Sequence, residues 1–201
     1  MDEKHSKLVA IIVAHPDDET LWAGGTILGH PEWDCFVLCL CRADDLDRSF
    51  KFNQTLKILK AKGIMGTIND DPDLKPLDER ELEKTILELL PKKHYDLIIT
   101  HSENGEYTRH IRHEETSRAV LKLWQNKKIS ADELWTFAYE DGENAYFPKA
   151  IVDAHLYQIL TEEIWLQKFK IMTEVYGFDK NSWETETTPL AEAFWHFKNN
   201  Q

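Results

Sequence analysis

The chain has 201 residues, enough for one domain with a substantial core. Its composition, 42% hydrophobic and 30% charged, is that of a globular chain rather than a disordered or membrane-embedded one. Twenty-four basic against 36 acidic residues leave a net charge of -12, which argues against nucleic-acid binding, since that needs a basic face.

The first apolar run, "LVAIIV" from Leu8, is too short to span a bilayer, and no small-residue cleavage site accompanies it. It reads as a first core strand, followed by a helix from Asp18 through Gly29. "DCFVLCLC", 34–41, is a second strand. Cys39 and Cys41 alternate within it, so both are expected on one face. With no second cysteine pair, Cys35, Cys39 and Cys41 read as reduced core thiols and point to a cytoplasmic setting. A helix over 45–62 is expected to stop at Gly63, with a short strand near "GTIN". Asp78 is an N-cap with Glu81 at the capping-box position, and Leu82, Ile86, Leu89 and Leu90 give that helix a buried stripe. "YDLIIT" is the next strand, Thr108 to Trp124 a helix, and "ELWTFAYE" another strand. The C-terminal third adds a strand, a long helix near 161–176 and a packed tail. Apolar strands alternating with amphipathic helices predict an α/β fold with a mostly parallel sheet covered on both faces. No repeat or long linker divides it, so 1–201 is read as a single domain.

The chemistry concentrates where strands end. "HPDDE" follows the first strand directly, and ligands of open α/β sheets sit beyond the carboxyl ends of strands. Pro16 keeps His15 out of helical geometry, while Asp17, Asp18 and Glu19 enter the helix. Capping explains one or two acids in a first turn, not three beside a histidine. Imidazole and carboxylate together suit zinc. A second group follows the strand "DLIIT": His101, then "NGEYTRHIRHEE", with His110 and His113 three apart on one helical face. His15, Asp18 and one histidine of that pair make three ligands, leaving the open position that a catalytic zinc needs.

The "AHPDDE" with downstream "GGT", the "DLIITH", the "NGEY" and the His-x-x-His together resemble the GlcNAc-PI de-N-acetylase family, the LmbE-like deacetylases, over roughly residues 8 to 140. The resemblance implies a Rossmann-like three-layer α/β/α fold and zinc-dependent removal of an N-acetyl group from an amino-sugar conjugate. It also implies roles: His15, Asp18 and His113 as zinc ligands, Asp17 as general base, and His110 assisting the tetrahedral intermediate. Some positions depart from the family pattern. Thr108 and Arg109 precede His110, and Arg112 stands where an aspartate is usual. Tyr176 occupies the place of a histidine in the tail, and Arg48 is followed at the Arg-x-x-Glu spacing by Lys51. Arg48, Tyr107, Arg109 and Arg112 are candidate substrate contacts.

The function so implied is a zinc N-deacetylase acting on a small soluble N-acetylglucosamine-type sugar, as a monomer or homo-oligomer. Two other classes compete: another metal-dependent hydrolase, such as a phosphoesterase, and a non-catalytic binding domain. Two-metal phosphoesterases need more bridging acids than the one clear three-ligand set supplies, and an intact base argues against the binding domain.

Overall fold

The computed structural model describes residues 6–198 apart from Pro72, Leu74 and Arg109. The chain alternates as expected through its first two thirds: β1 (Leu8–Val13), α1 (Asp18–Gly29), β2 (Asp34–Cys41), α2 (Leu46–Ile58), β3 (Lys62–Ile68), α3 (Glu79–Leu89), β4 (His94–Thr100), α4 (Ile111–Gln125) and β5 (Ser130–Phe137). A two-strand ribbon follows, β6 (Tyr139–Glu140) and β7 (Lys149–Ala150), then β8 (Leu156–Ile159) and α5 (Glu162–Lys170). α5 runs on into one π-helical turn, Ile171–Val175, before α6 (Trp183–Thr187) and β9 (Ala191–Lys198).

One seven-stranded sheet has the order β3-β2-β1-β4-β5-β9-β8. β3 through β5 are parallel, whereas β9 runs antiparallel to β5 and β8 antiparallel to β9. Because parallel strands are covered on both faces, β1 is apolar throughout. Val9, Ile11 and Val13 pack with Trp22, Phe52 and Met172 on one side; Ala10 and Ile12 pack with Leu82, Ile86 and Val120 on the other. The order reverses between β1 and β4, which opens a crevice at the carboxyl ends of those two strands. Among the described residues no helix is long and apolar enough to cross a membrane.

Four expectations are corrected. Cys39 and Cys41 lie in opposite halves of the core, because the register of β2 against β3 shifts between them and the irregularity breaks the two-residue alternation. All three cysteines are buried and free. α2 ends at Ile58, with Lys60 taking a positive φ of 53°, four residues before the expected stop. Gly63 lies in β3, where a Cβ would sit 2.5 Å from the Val37 carbonyl oxygen. α4 starts at Ile111 rather than Thr108, since Asp141 holds Thr108 outside the helix by accepting from its backbone N and its Oγ1 at 2.6 and 2.7 Å. The tail is not merely packed on: β9 enters the sheet beside β5.

The C-terminal third also clamps α1. Gly25 is required there, because a Cβ would come within 2.4 Å of Leu160. Glu192 of β9 accepts from the backbone N of Gly25 and Thr26 at 2.7 and 2.6 Å, and pairs with Lys168 of α5 at 2.7 Å. Both charges are fully buried.

Candidate active site

β1 stops at Val13, and Pro16 delays the next helix until Asp18. Asp17 carries the strain of that turn. Its φ is 141°, a region L-residues avoid, at a cost of roughly 1–3 kcal/mol. The backbone N of Thr20 and of Leu21 donates to Asp17 O at 2.9 and 2.8 Å, and Asp17 N donates to Glu19 Oε2 at 3.1 Å. Glu19 is fully buried; its other oxygen accepts from Thr20 Oγ1 and from the Tyr176 hydroxyl at 2.6 and 2.8 Å. Tyr176 thus reaches the motif from the C-terminal third.

The helical turn after Asp17 brings Asp18 back toward His15. His15 Nδ1 lies 3.1 Å from Asp18 Oδ2 and 3.2 Å from His113 Nε2, and the last two atoms are 3.4 Å apart. Ligands about 2.0–2.1 Å from a tetrahedral zinc are roughly 3.3–3.4 Å from one another, so the three atoms fit one such ion. Trp22 Nε1 donates to Asp18 Oδ1 at 3.1 Å, while Oδ2, in the triangle, also accepts the His15 backbone N–H at 2.8 Å.

Each histidine is steered from behind by a carboxylate. His113 Nδ1 is 2.6 Å from Glu106 Oε2, and His15 Nε2 is 3.2 Å from Asp70 Oδ1. A proton on each outer nitrogen is donated to the carboxylate, which turns the inner lone pairs toward the triangle. Arg42 fixes Asp70 through Nε and Nη2 at 2.9 and 2.6 Å. His101 stacks on His113 at 4.0 Å and lies 2.9 Å from the same Glu106 oxygen. Burial opposes a charge on His101, yet Glu106 and Asp18 lift it to about 9. Its Nε2 lies 3.0 Å from the Ala14 backbone N and 3.4 Å from Asp18 Oδ2. Asp70 and Glu106 escape the sequence reading. Their one signal is position: both lie in the segments that leave the carboxyl ends of β3 and β4.

The two adjacent aspartates have opposite proton affinities. Burial, helped by the Asp18 charge, raises Asp17 well above the ordinary carboxylate value despite Arg48 and His15. Burial also opposes ionisation of Asp18, but His113 and His101 beside it hold it well below that value. Such divergence is the pattern of one carboxylate that holds positive charge and one that moves a proton. Burial opposes a charge on His15 as well, yet Asp18 and Asp70 lift it to about 10.

His110 is the residue preceding α4, with its ring 4.5 Å from that of His15 and 4.6 Å from that of His113. Burial, then the neighbouring His113 and His15, push it down to about 3, so the ring is neutral. Its buried Nδ1 has no hydrogen-bond partner among the described residues. Arg48 Nη1 is 3.2 Å from Asp17 Oδ2 and lines the crevice with Tyr107, whose ring is 5.4 Å from that of His113. Arg112 does not join them. It is 2% exposed, and its guanidinium is spent on Asn69 O, Lys75 O and Glu115, so it braces the loop after β3 instead of facing a substrate. Arg109 lies outside the described residues. The crevice measures about 370 Å³, within the small-molecule range. Asp45, Trp183 and Glu184 also line it, none of them expected from the sequence.

A family model for GlcNAc-PI de-N-acetylases matches residues 10–124, more than half of the chain. The chain belongs to the GlcNAc-PI de-N-acetylase family. The match takes in His15, Asp17, Asp18, His110 and His113, and stops before β5. An uncharacterized protein of Acanthamoeba polyphaga mimivirus is 23% identical over 165 residues, 74% of this chain and 69% of that one. The N,N'-diacetylchitobiose deacetylase of Pyrococcus horikoshii superposes with a TM-score of 0.68 at 16% identity, over 97% of this chain and 85% of that one. The 4-carboxy-2-hydroxymuconate hydratase GalB of Pseudomonas putida superposes equally well: TM-score 0.67, 15% identity, 97% and 98% coverage. This member of the de-N-acetylase family therefore shares its fold with proteins of different chemistries, and the site must decide between them.

Proposed function

We propose that this protein is a zinc-dependent N-deacetylase that hydrolyses the acetamide of an N-acetylglucosamine-type sugar, with residues 1–201 as one catalytic domain. The observation that carries the reading is the triangle of His15 Nδ1, Asp18 Oδ2 and His113 Nε2, set beside a carboxylate, Asp17, that stands outside it. Membership of the de-N-acetylase family and the deacetylase among the structural neighbours support it. His15, Asp18 and His113 hold the ion. When bound, such an ion supplies a Lewis acid that lowers the pKa of water and withdraws charge from an amide carbonyl.

The chain's own residues do the rest. Asp17, its proton affinity raised by burial, takes the proton of the attacking water and returns it to the departing sugar amine. His110, neutral at rest, donates an N–H to the oxygen that gains charge as the carbonyl becomes tetrahedral. Arg48 pairs with Asp17 and keeps its carboxylate on the crevice side, and Tyr107 walls the acetamide from bulk water. Acetate and a free amino sugar leave. The three reduced cysteines support a cytoplasmic setting.

The test is acetate release from a panel of N-acetylglucosamine derivatives by zinc-loaded protein, with phosphate release from sugar phosphates measured beside it. Acetate from any member supports the deacetylase. Phosphate without acetate transfers the site to a phosphoesterase, and neither product, with zinc bound, leaves a binding domain.

A further inference from the structure

Part of the crevice wall comes from a stretch of the chain that the family match does not reach. Trp183 opens α6 and lines the crevice with Glu184, although the family match ends at residue 124. The indole packs T-shaped against Tyr107, ring centroids 4.6 Å apart at 61°. Tyr107 in turn stands 6.0 Å from His110 and 5.4 Å from His113. Trp183 is therefore one aromatic ring removed from the reacting atoms.

Two features set this residue apart from packing tryptophans. Trp22, on the far side of Tyr107, is fully buried and spends its indole N–H on Asp18. Trp183 remains 38% exposed at the crevice, and Glu184 brings a carboxylate to the same wall. Asp45 also lines the crevice while its carboxylate caps α2. A part-exposed indole and two carboxylates lining one crevice match one chemical class closely. A pyranose presents a flat face of C–H bonds, which packs on an aromatic ring, and an edge of hydroxyls, which donate to carboxylates. Among the described residues, the arginines that line the opening are paired, Arg42 with Asp70 and Arg48 with Asp17.

We propose that Trp183 and Glu184 form a sugar subsite beside the reacting centre, so that the substrate is an uncharged amino-sugar glycoside or oligosaccharide rather than a sugar phosphate. The proposal rests on the deacetylase reading and names its substrate class. Indole and pyranose stack, Glu184 and Asp45 accept hydroxyls, and the acetamide reaches past Tyr107 to Asp17 and the ligand triangle.

The experiment measures binding and turnover separately on the zinc-loaded full chain. Binding of N-acetylglucosamine, N,N'-diacetylchitobiose and N-acetylglucosamine 1-phosphate is followed by calorimetry in wild type, Trp183→Ala, Trp183→Phe and Glu184→Gln, with zinc content and melting temperature recorded for each. The disaccharide should bind at least as tightly as the monosaccharide, and the phosphate no more tightly. Trp183→Ala should weaken disaccharide binding by roughly tenfold or more with zinc content unchanged, since base–aromatic and similar stacking is worth about 1–3 kcal/mol. Trp183→Phe should recover most of that loss, and Glu184→Gln should weaken binding several-fold. Wild-type affinity in Trp183→Ala, no sugar binding by wild type, or a phosphate bound tenfold better than its parent overturns the proposal. If Trp183→Ala melts early, the Phe and Gln variants decide. Sugar binding that needs Trp183 without acetate release sinks the deacetylase and keeps the subsite; acetate release indifferent to Trp183 does the reverse.

Discussion

The family-matched stretch, 10–124, and the C-terminal third divide the labour of this molecule unevenly. The first carries His15, Asp17, Asp18, Asp70, Glu106, His110 and His113, which are all of the residues proposed above to hold a metal, steer its ligands or move a proton. It is built of parallel strands whose carboxyl ends converge. The second, antiparallel and irregular, contributes contacts: Glu192 on the backbone of α1, Tyr176 on Glu19, and Trp183 on Tyr107. Chemistry comes from one region, and the alignment of that chemistry comes from the other. A parallel sheet presents its strand ends together but leaves the helix after β1 free to shift, and the C-terminal clamps remove that freedom.

The comparison breaks most directly at the ligands. His113→Ala and Asp18→Ala should each lose most bound zinc by elemental analysis and roughly a thousandfold or more of turnover, since each removes one of three protein ligands. Retained zinc and activity in either variant would remove the chemistry from the family-matched region. Asp17→Asn should keep zinc and lose about a hundredfold to ten-thousandfold, in kcat rather than KM, because proton transfer acts in the transition state. If Asp17→Asn loses zinc while Asp18→Asn keeps it, the two roles are exchanged.

The C-terminal region is tested through stability. Lys168→Met leaves Glu192 buried beside α1 without its partner, and should cost about 3–5 kcal/mol in urea unfolding while zinc affinity of the folded fraction holds. Unfolding unchanged from wild type would mean that the clamp is idle. The smallest effect is expected from Tyr176→Phe. It deletes one hydroxyl donated to Glu19, worth roughly 0.5–1.5 kcal/mol, and loosens the backbone of Asp17. The melting temperature should fall slightly and kcat several-fold, with KM and zinc content unmoved; an unchanged kcat would separate Tyr176 from the site.

Much of this was legible beforehand because it is local. Near-continuous apolar runs name buried parallel strands, and His15 through Asp18 lie within one turn, so their convergence needs no distant partner. Asp78 caps α3 as its place before an amphipathic stripe predicts. The failures share a cause. Cys39 and Cys41 parted because the register shift belongs to the pairing of two strands, not to either alone. Gly63 looked like a helix stop, yet it serves the close approach of β3 to β2. Arg112 looked like a substrate contact until the loop after β3 claimed its donors.

By itself, then, the sequence determined the strand-and-helix alternation, the parallel sheet and the nearness of His15 to Asp18, since hydrophobic period and short-range spacing act within a few residues along the chain. Tertiary structure alone decided which carboxylates stand behind those histidines, that Tyr176 and Glu192 hold α1, and that Trp183 faces the crevice. Those partners lie from 7 to 167 residues away from the groups they touch. A contact of that kind leaves no period in the sequence, because it depends on where the sheet reverses and on which loops the reversal brings together.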